Sequence, residues 1–256
     1  TSRDGKPVTL RGGIPSGGVY SVPGVASGKF YPGLLQVCVD TTSITYTYTS
    51  LSGCKDSASQ TIHVQPAQPF VCGNNFTDIR DNHSYPTVKI GSQCWFSKNL
   101  DYGLFTSAIQ VQRDNCIAEK YCYSDNPVNC TLLGALYQWD EMMVFDPIEE
   151  GQGFCPPGWH IPSENEWNTL FKNYQHAAFA GDSLRVGGIS GFNALLTGTS
   201  YSFQHWNFKD VATFFWSSTP HGSTEAWAHG IHLENHGVST YPSSRSNGFS
   251  VRCTKD

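Results

Sequence analysis

Two spacings of hydrophobic residues run through this chain. Ser43-Ile44-Thr45-Tyr46-Thr47-Tyr48-Thr49 puts apolar side chains at every second position with threonines between them, the period of a half-buried strand. Ser59-Gln60-Thr61-Ile62-His63-Val64 alternates again after a Ser50-Leu51-Ser52-Gly53 turn. Further on, Asp81-Asn82-His83 predicts the turn of a hairpin within Phe76 to Trp95, with Val88 and Ile90 alternating against polar neighbours. The period changes at Trp167, Leu170, Phe171 and Tyr174, which fall at i, i+3, i+4 and i+7 and predict one apolar face of a helix of about three turns. Ser163, with Glu166 three residues later, has capping-box spacing, and Pro162 prevents upstream extension. A second helix is predicted from Gly134 to Val144 with Leu136, Trp139 and Met143 inward, and the Gly- and Pro-punctuated stretch between the two helices reads as loop.

Near the end of the chain, Phe214-Phe215-Trp216-Ser217-Ser218-Thr219 and Phe249-Ser250-Val251-Arg252-Cys253 bracket a polar middle from Pro220 to Asn247. Aromatics mixed with short hydroxyl and amide side chains supply stacking area and adaptable hydrogen bonds at low entropic cost. The candidate ligand-binding residues are therefore Tyr201 and Trp206 on the preceding loop, then His221, His229, His232, Asn235, His236, Tyr241, Ser243, Arg245 and Asn247. The bland alternative is a polar hairpin on a solvated edge.

Composition narrows the classes. With 256 residues there is room for one large domain or two ordinary ones. Only 14% of residues are charged against 39% hydrophobic, which suits a β-rich globular chain with many turns. A net charge of −5 without any Lys/Arg cluster argues against nucleic acid as a partner. No apolar run approaches the roughly 20 residues of a membrane helix. No signal peptide precedes Thr1-Ser2-Arg3-Asp4-Gly5, so the chain reads as a fragment of a longer exported protein. Nine cysteines are scattered with no C-x-x-C pair, which points to an oxidising compartment and away from zinc ribbons, and the odd count leaves one thiol over.

Candidate chemistry is sparse. No G-x-S-x-G elbow, H-E-x-x-H pair or glycine-rich phosphate loop occurs. Glu149-Glu150 reads as a solvated loop, and Glu164 with Glu166 as a helix N-terminus that favours negative charge. His229, His232 and His236, with Glu234, invite a zinc reading. Residues of opposite parity on a strand face opposite sides, however, so His229 and His232 should diverge. No metal or other cofactor is assigned.

The chain divides into residues 1–67 and 68–256 across the proline-bearing joint Gln65-Pro66-Ala67-Gln68-Pro69. In the first part, Gly12-Gly13-Ile14-Pro15-Ser16-Gly17-Gly18-Val19-Tyr20 and the Tyr-Thr-Tyr strand resemble the immunoglobulin-like repeats of bacteroidete surface adhesins, implying an all-β sandwich used as a spacer. Cys38 and Cys54 flank that strand, and a bridge between them would close a loop worth about 3 kcal/mol. The second part carries Asp78-Ile79-Arg80-Asp81 with Tyr85, Ile90-Gly91-Ser92-Gln93-Cys94-Trp95, Asn99-Leu100, Cys155-Pro156-Pro157-Gly158-Trp159-His160-Ile161-Pro162-Ser163, and the closing Trp-Ser-Ser-Thr and Val-Arg-Cys. Together these resemble the paralogous domain first noted as expanded in Fibrobacter succinogenes.

That resemblance implies a C-type-lectin-like α+β fold with two helices beside small twisted sheets. It implies Cys155–Cys253 and Cys122–Cys130 bridges, the latter closing a loop; Cys72–Cys94 is a further hairpin staple, and Cys116 is left over. Trp139, Trp159 and Trp167 are expected in the core. Formylglycine-generating enzymes share the fold but need a reactive cysteine pair, and Cys253 has no neighbour for one. The lectin calcium motifs are absent, Trp206-Asn207-Phe208 and Trp227-Ala228-His229 being poor substitutes, so calcium is possible without support from a motif. The polar middle also resembles the diversified end of lectin-fold proteins targeted by retroelements. The expectation is an α+β chain, an immunoglobulin-like sandwich followed by a C-type-lectin-like domain. It would be exported to the bacterial cell surface, serve adhesion without catalysis, and bind a glycan or a protein. The alternatives are a structural or tip subunit of a surface appendage and, more weakly, a formylglycine-generating-enzyme-like catalyst.

Overall fold

The computed structural model describes residues 7–21, 24–26, 28–32, 41–64, 70–78, 80–115, 117–201 and 205–256. The chain is mixed, mostly strand with few helices, and divides into two compact units, Thr1–Pro69 and Phe70–Lys255.

In the first unit, β1 (Val8–Thr9), β4 (Lys29–Phe30) and β3 (Val25–Ala26) form one sheet, ordered β1-β4-β3. The strands β2 (Val19–Ser21), β5 (Thr41–Thr49) and β6 (Lys55–His63) form another, ordered β2-β5-β6. The alternating Tyr-Thr-Tyr segment is β5, and Ile44 from it joins Phe30 and Val64 in a small core. The Tyr46 hydroxyl donates to Pro15 O at 2.5 Å and accepts from Gly18 N at 2.7 Å. A Cβ on Gly13 or Gly18 would stand within 2.4 Å of the Tyr46 ring, so the glycines there serve close approach. Cys54 is a free, exposed thiol and Cys38 lies outside the described residues, so the expected Cys38–Cys54 bridge is not among the bonds found.

The second unit opens with β7 (Phe76–Thr77) and β8 (Ser84–Tyr85), joined by the predicted Asp81-Asn82-His83 turn. A separate hairpin follows, β9 (Thr87–Ile90) with β10 (Gln93–Phe96). Next come β11 (Leu104–Phe105) paired in parallel with β12 (Glu119–Lys120), α1 (Pro127–Leu133), α2 (Trp139–Met142), β13 (Trp159–His160), α3 (Glu164–Lys172) and α4 (Ala177–Leu184). The last elements are β14 (Thr197–Tyr201), β15 (His205–Lys209), β16 (Ala212–His221), β17 (Glu225–His232), β18 (Val238–Ser244) and β19 (Thr254–Lys255). A four-stranded sheet is ordered β13-β19-β10-β9 and a five-stranded one β15-β14-β16-β17-β18.

The expected helix from Gly134 to Val144 is corrected. The first helix starts earlier, where Asn126 accepts from the Val128 N–H and Pro127 fills the first position, and it ends at Gly134, whose φ of 84° breaks the helical path. Residues 135–137 are extended, with Leu136 bridged to Tyr121 and Tyr137 to Phe249, and only Trp139–Met142 is helical. The Cys122–Cys130 bridge forms, but it spans a 3-10 turn and the start of α1 where a loop was expected. Cys72–Cys94 and Cys155–Cys253 also form, and Cys116 lies outside the described residues. α4 was not predicted. The Ser163–Glu166 capping box is present in full. Burial works to raise the Glu166 pKa, but bonds from His160 and Ser163 hold it below the usual carboxylate range.

The five-stranded sheet lies between two apolar cores. Trp139, Trp159, Trp216, Phe249 and Val251 belong to one, and Trp95, Trp167, Phe171, Phe192 and Phe215 to the other. Arg252 is fully buried between Phe192 and Phe215, with its guanidinium carbon 4.4 Å and 5.5 Å from their ring centroids. Burial pushes its pKa down to about 9. It donates to Asn99 Oδ1 at 2.6 Å, Phe96 O at 2.8 Å, Phe192 O at 2.6 Å and Asn193 O at 3.0 Å, and these oxygens keep it charged at neutral pH. Replacing Arg252 by Met leaves four acceptors without their donor and should cost about 3–5 kcal/mol, read as a lower urea midpoint at unchanged m-value. Ser163→Ala, which removes the cap and the bond that Ser163 Oγ donates to Glu150 Oε1 at 3.1 Å, should cost about 1–2 kcal/mol in the same measurement.

Candidate functional site

Pairing across β16, β17 and β18 decides which side chains share a face. Phe214 stands opposite Gly230 and Gly230 opposite Ser239; Trp216 pairs with Ala228 and Ala228 with Tyr241; Ala212 pairs with His232 and Ala226 with Ser243. All of these lie on one face. Phe215, His229, Ile231 and Val238 occupy the other, against α3 and α4.

His229 therefore does not belong to an exposed surface. It is fully buried, 4.8 Å from Trp167 and 5.2 Å from Phe171 by ring centroids, with Nδ1 3.0 Å from Thr240 Oγ1 and Nε2 3.0 Å from Glu164 Oε2. A buried imidazole needs such partners; β18 supplies the hydrogen bond at Nδ1, while the Glu164 carboxylate at the start of α3 stands within ion-pair distance of Nε2 without hydrogen-bond geometry. His232 points to the opposite face, as strand parity requires, and lies edge-on to Phe214 at 5.6 Å.

On that opposite face the sheet is covered only in part. Phe214 is buried and central, with centroids of Phe249 at 5.2 Å, His232 at 5.6 Å, Phe208 at 5.8 Å and Tyr241 at 6.3 Å. Tyr201 closes the ring, 6.2 Å from both Phe208 and Phe249. Phe208 is 43% exposed, while Tyr201, His232, Ser239 and Tyr241 are half-buried. Gly230 makes the arrangement possible, since a Cβ there would lie 3.1 Å from both the Phe214 ring and His232 Nε2. Neither the Tyr201 nor the Tyr241 hydroxyl has a hydrogen-bond partner among the described residues. Both pKa values are raised by burial, that of Tyr241 further by its neighbour Tyr201, so both remain neutral donors at any physiological pH.

Phe208 is the member that sequence reasoning missed. Alternation along β15 sends Trp206 and Phe208 to the same side, and Trp206 does pack away from the cluster, 5.3 Å from Tyr123. Phe208 has φ of 64°, however, which turns its ring toward Tyr201 and Phe214. No local signal announces a left-handed phenylalanine.

The remaining candidates separate. Ser243 and Asn247 are 7% exposed and bonded to each other at 3.0 Å, so they support the face from beneath. Arg245 lies 4.1 Å over Trp139, donates to Glu225 O and Gly222 O, and approaches Asp140 at 3.2 Å, which makes it a clamp on the β16–β17 turn. His221 is at the exposed end of β16 beside Glu225 and Trp227. Asn235 and His236 form the β17–β18 turn, where His236 Nδ1 meets Asp182 Oδ2 at 2.5 Å. Of the eleven residues, Tyr201, His232 and Tyr241 present themselves together. Their face offers flat apolar rings, two hydroxyl donors and one imidazole, which suits stacking and hydrogen bonding.

Tyr121 and Tyr241, with Tyr85 and Tyr137, have pKa values raised by burial. A folded pKa above the unfolded value of about 10 gives stability that is present below that pH and lost as pH rises through the folded pKa. Urea stability should accordingly fall above about pH 10, with late-ionising tyrosines seen by ultraviolet titration. An unfolding midpoint flat across that range would contradict the burial described.

No curated protein and no solved structure matches the chain. A family model does, over residues 88–255, a span that includes the whole five-stranded sheet, the aromatic face and the Cys155–Cys253 bridge. It is the model of the Fibrobacter succinogenes major domain, and the chain belongs to that family.

Proposed function

We propose that the second unit is a non-catalytic binding module that holds a glycan or a protein on the aromatic face of Tyr201, Phe208, His232 and Tyr241. The observation that carries this reading is a cluster of rings left partly uncovered on one face of the sheet, while Phe215, His229, Ile231 and Val238 on the other are buried, with two tyrosine hydroxyls that make no hydrogen bond among the described residues. Rings of this kind stack on the apolar faces of sugars or on apolar side chains, and the hydroxyls fix orientation. We read the second unit as a C-type-lectin-like fold, supported by paired small sheets, the α3 helix and the bridge that ties Cys253 near the end of the chain to Cys155. The first unit is read as an immunoglobulin-like spacer, supported by its two three-stranded sheets around Phe30, Ile44 and Val64. Three disulfides favour an oxidising location, which agrees with adhesion outside a bacterial cell.

One observation favours a second reading, a structural subunit of a surface appendage. Among the described residues β6 is a nine-residue edge strand exposed along nearly its whole length, and such an edge is a template for strand addition.

The test is binding of the full chain to glycan and protein arrays. Phe208→Ala and His232→Ala should each weaken a specific hit about tenfold or more, with Tm nearly unchanged, as expected for partly exposed anchors. His236→Ala, on the remote turn, should leave binding as it was. An absence of hits accompanied by concentration-dependent polymers would sink the binding reading and favour the structural one.

A further inference from the structure

Arg80, in the β7–β8 hairpin, carries donors that the fold does not use. Its Nε and Nη2 grip the Asp78 carboxylate at 2.6–3.1 Å, and Nη2 also donates to Phe154 O at 2.8 Å. The guanidinium carbon lies 3.8 Å over the Tyr102 ring. Together these contacts hold the group in one orientation. A guanidinium has five N–H donors in a rigid fork, and the two on Nη1 meet no acceptor among the described residues. Asp78 is fully buried, whereas the Arg80 side chain is 21% exposed and Nη1 is not sealed from solvent. The unused side of the fork is therefore one that a ligand can reach.

Arg80 and Tyr102 line a cavity of about 250 Å³ together with Arg113, Asp114, Glu141 and Val144. Val144 has φ of 55°, a region that a β-branched residue enters only where its surroundings hold it there, so this part of the wall is preset. Arg113 is exposed, and its guanidinium has no hydrogen bond or ion pair among the described residues. Asp114 beside it is exposed too, so water screens its charge. Glu141 offers a ligand little: Oε1 accepts the Glu119 backbone N–H at 2.9 Å and Oε2 is buried. Burial raises its pKa to about 7, so it is mostly neutral at about pH 6. The reachable, partly desolvated groups with spare hydrogen-bonding capacity are thus cationic donors. A planar carboxylate presents two oxygens at the spacing of such donors, and a dianion would carry a second charge toward Asp114.

We propose that this cavity binds a carboxylate, which accepts from Arg80 Nη1 and pairs with the Arg113 guanidinium. Such a group can be carried by a uronic acid sugar or by an acidic side chain. The ligand leaves Asp78 in place, because Asp78 engages the other side of the Arg80 fork. The site shares no residue with the aromatic face of Tyr201, Phe208, His232 and Tyr241, so the two can be tested apart.

Calorimetric titration of the full chain with D-glucuronate and with Nα-acetyl-glutamate methylamide, at about pH 6 and low salt, tests the proposal. D-glucuronamide and Nα-acetyl-glutamine methylamide are the uncharged controls. At least one acid should saturate at millimolar concentration, about tenfold or more tighter than its amide. Saturation by glucuronate alone assigns an acidic sugar, by the glutamate derivative alone an acidic side chain, and by both the carboxylate itself. Arg113→Gln, at an exposed position, should weaken binding about fivefold or more at unchanged Tm, and Asp114→Asn should strengthen it about twofold. Arg80→Lys keeps a cation for the buried Asp78 but loses the fork, and should abolish binding even where it lowers Tm. Phe208→Ala should leave acid binding as it was. No saturation by either acid up to about 50 mM overturns the proposal. So do equal binding by the wild type and Arg113→Gln, loss of binding in Phe208→Ala, and tighter binding of inorganic phosphate than of either acid.

Discussion

A guanidinium with no carboxylate partner among the described residues sits at the centre of the second unit, and its surroundings explain why the unit closes as it does. Arg252 is completely buried, and its donors end on the backbone oxygens of Phe96, Phe192 and Asn193 and on the side chain of Asn99. Removing such a charge from water is tolerable only where its donors are largely met, as four of the five are here, and aromatic faces add their own attraction. The last segment of the chain is thereby bound to β10, to the Asn99-Leu100 turn and to the loop after α4. The Leu100 N–H bond to Val251 O and the Phe96 N–H bond to Cys253 O fix it in register, and the Cys155–Cys253 bridge closes a separation of 98 residues. In chain-entropy terms a loop of that length gains among the most from closure, about 4–5 kcal/mol.

Closure of that segment in turn commits the five-stranded sheet to two cores, and each strand must then satisfy both. β17 meets the demand by placing Ala226, Ala228 and Gly230 on the side where Phe214 and Trp216 need room, and His229 and Ile231 on the side of α3 and α4. The Trp-Ser-Ser-Thr segment does the polar part of the joining. Ser218 Oγ accepts from Glu150 N at 2.9 Å, Ser218 N donates to Pro162 O at 2.8 Å, and Thr219 Oγ1 accepts from Glu164 N at 2.9 Å. The Ser218 hydroxyl is therefore spent on the loop at Glu150, and that of Thr219 on the start of α3. The aromatic face is what remains where the first core stops short of the sheet's far end.

Much of this was legible in the residues. The Ser163–Glu166 box, the apolar face of α3, the Tyr-Thr-Tyr strand, the Asp-Asn-His turn and three disulfides all rest on local spacing or on family motifs, and each formed as expected. The helix placed at Gly134–Val144 failed because Asn126-Pro127 is the stronger start signal and Gly134 the stop, a competition that periodicity alone does not weigh. Within the polar middle, composition alone could not sort eleven residues. Parity correctly sent His229 and His232 to opposite faces. It could not say that His229 would be the buried one, because that depends on Trp167 and Phe171 arriving from a helix sixty residues upstream.

By itself, then, the sequence determined the elements whose causes are local: strand period, caps, turns and the cysteines available for bridging. Those follow from interactions between residues a few positions apart, which a linear reading contains. Only the tertiary structure decided which polar residues would become internal partners and which would stay available. Arg245 went to Trp139, Asn247 to Ser243 and His236 to Asp182, while Phe208, through a left-handed backbone, turned to join Tyr201, His232 and Tyr241. Burial and face are properties of a residue's distant neighbours, and the order of strands in a sheet, which sets those neighbours, is not written in any one segment.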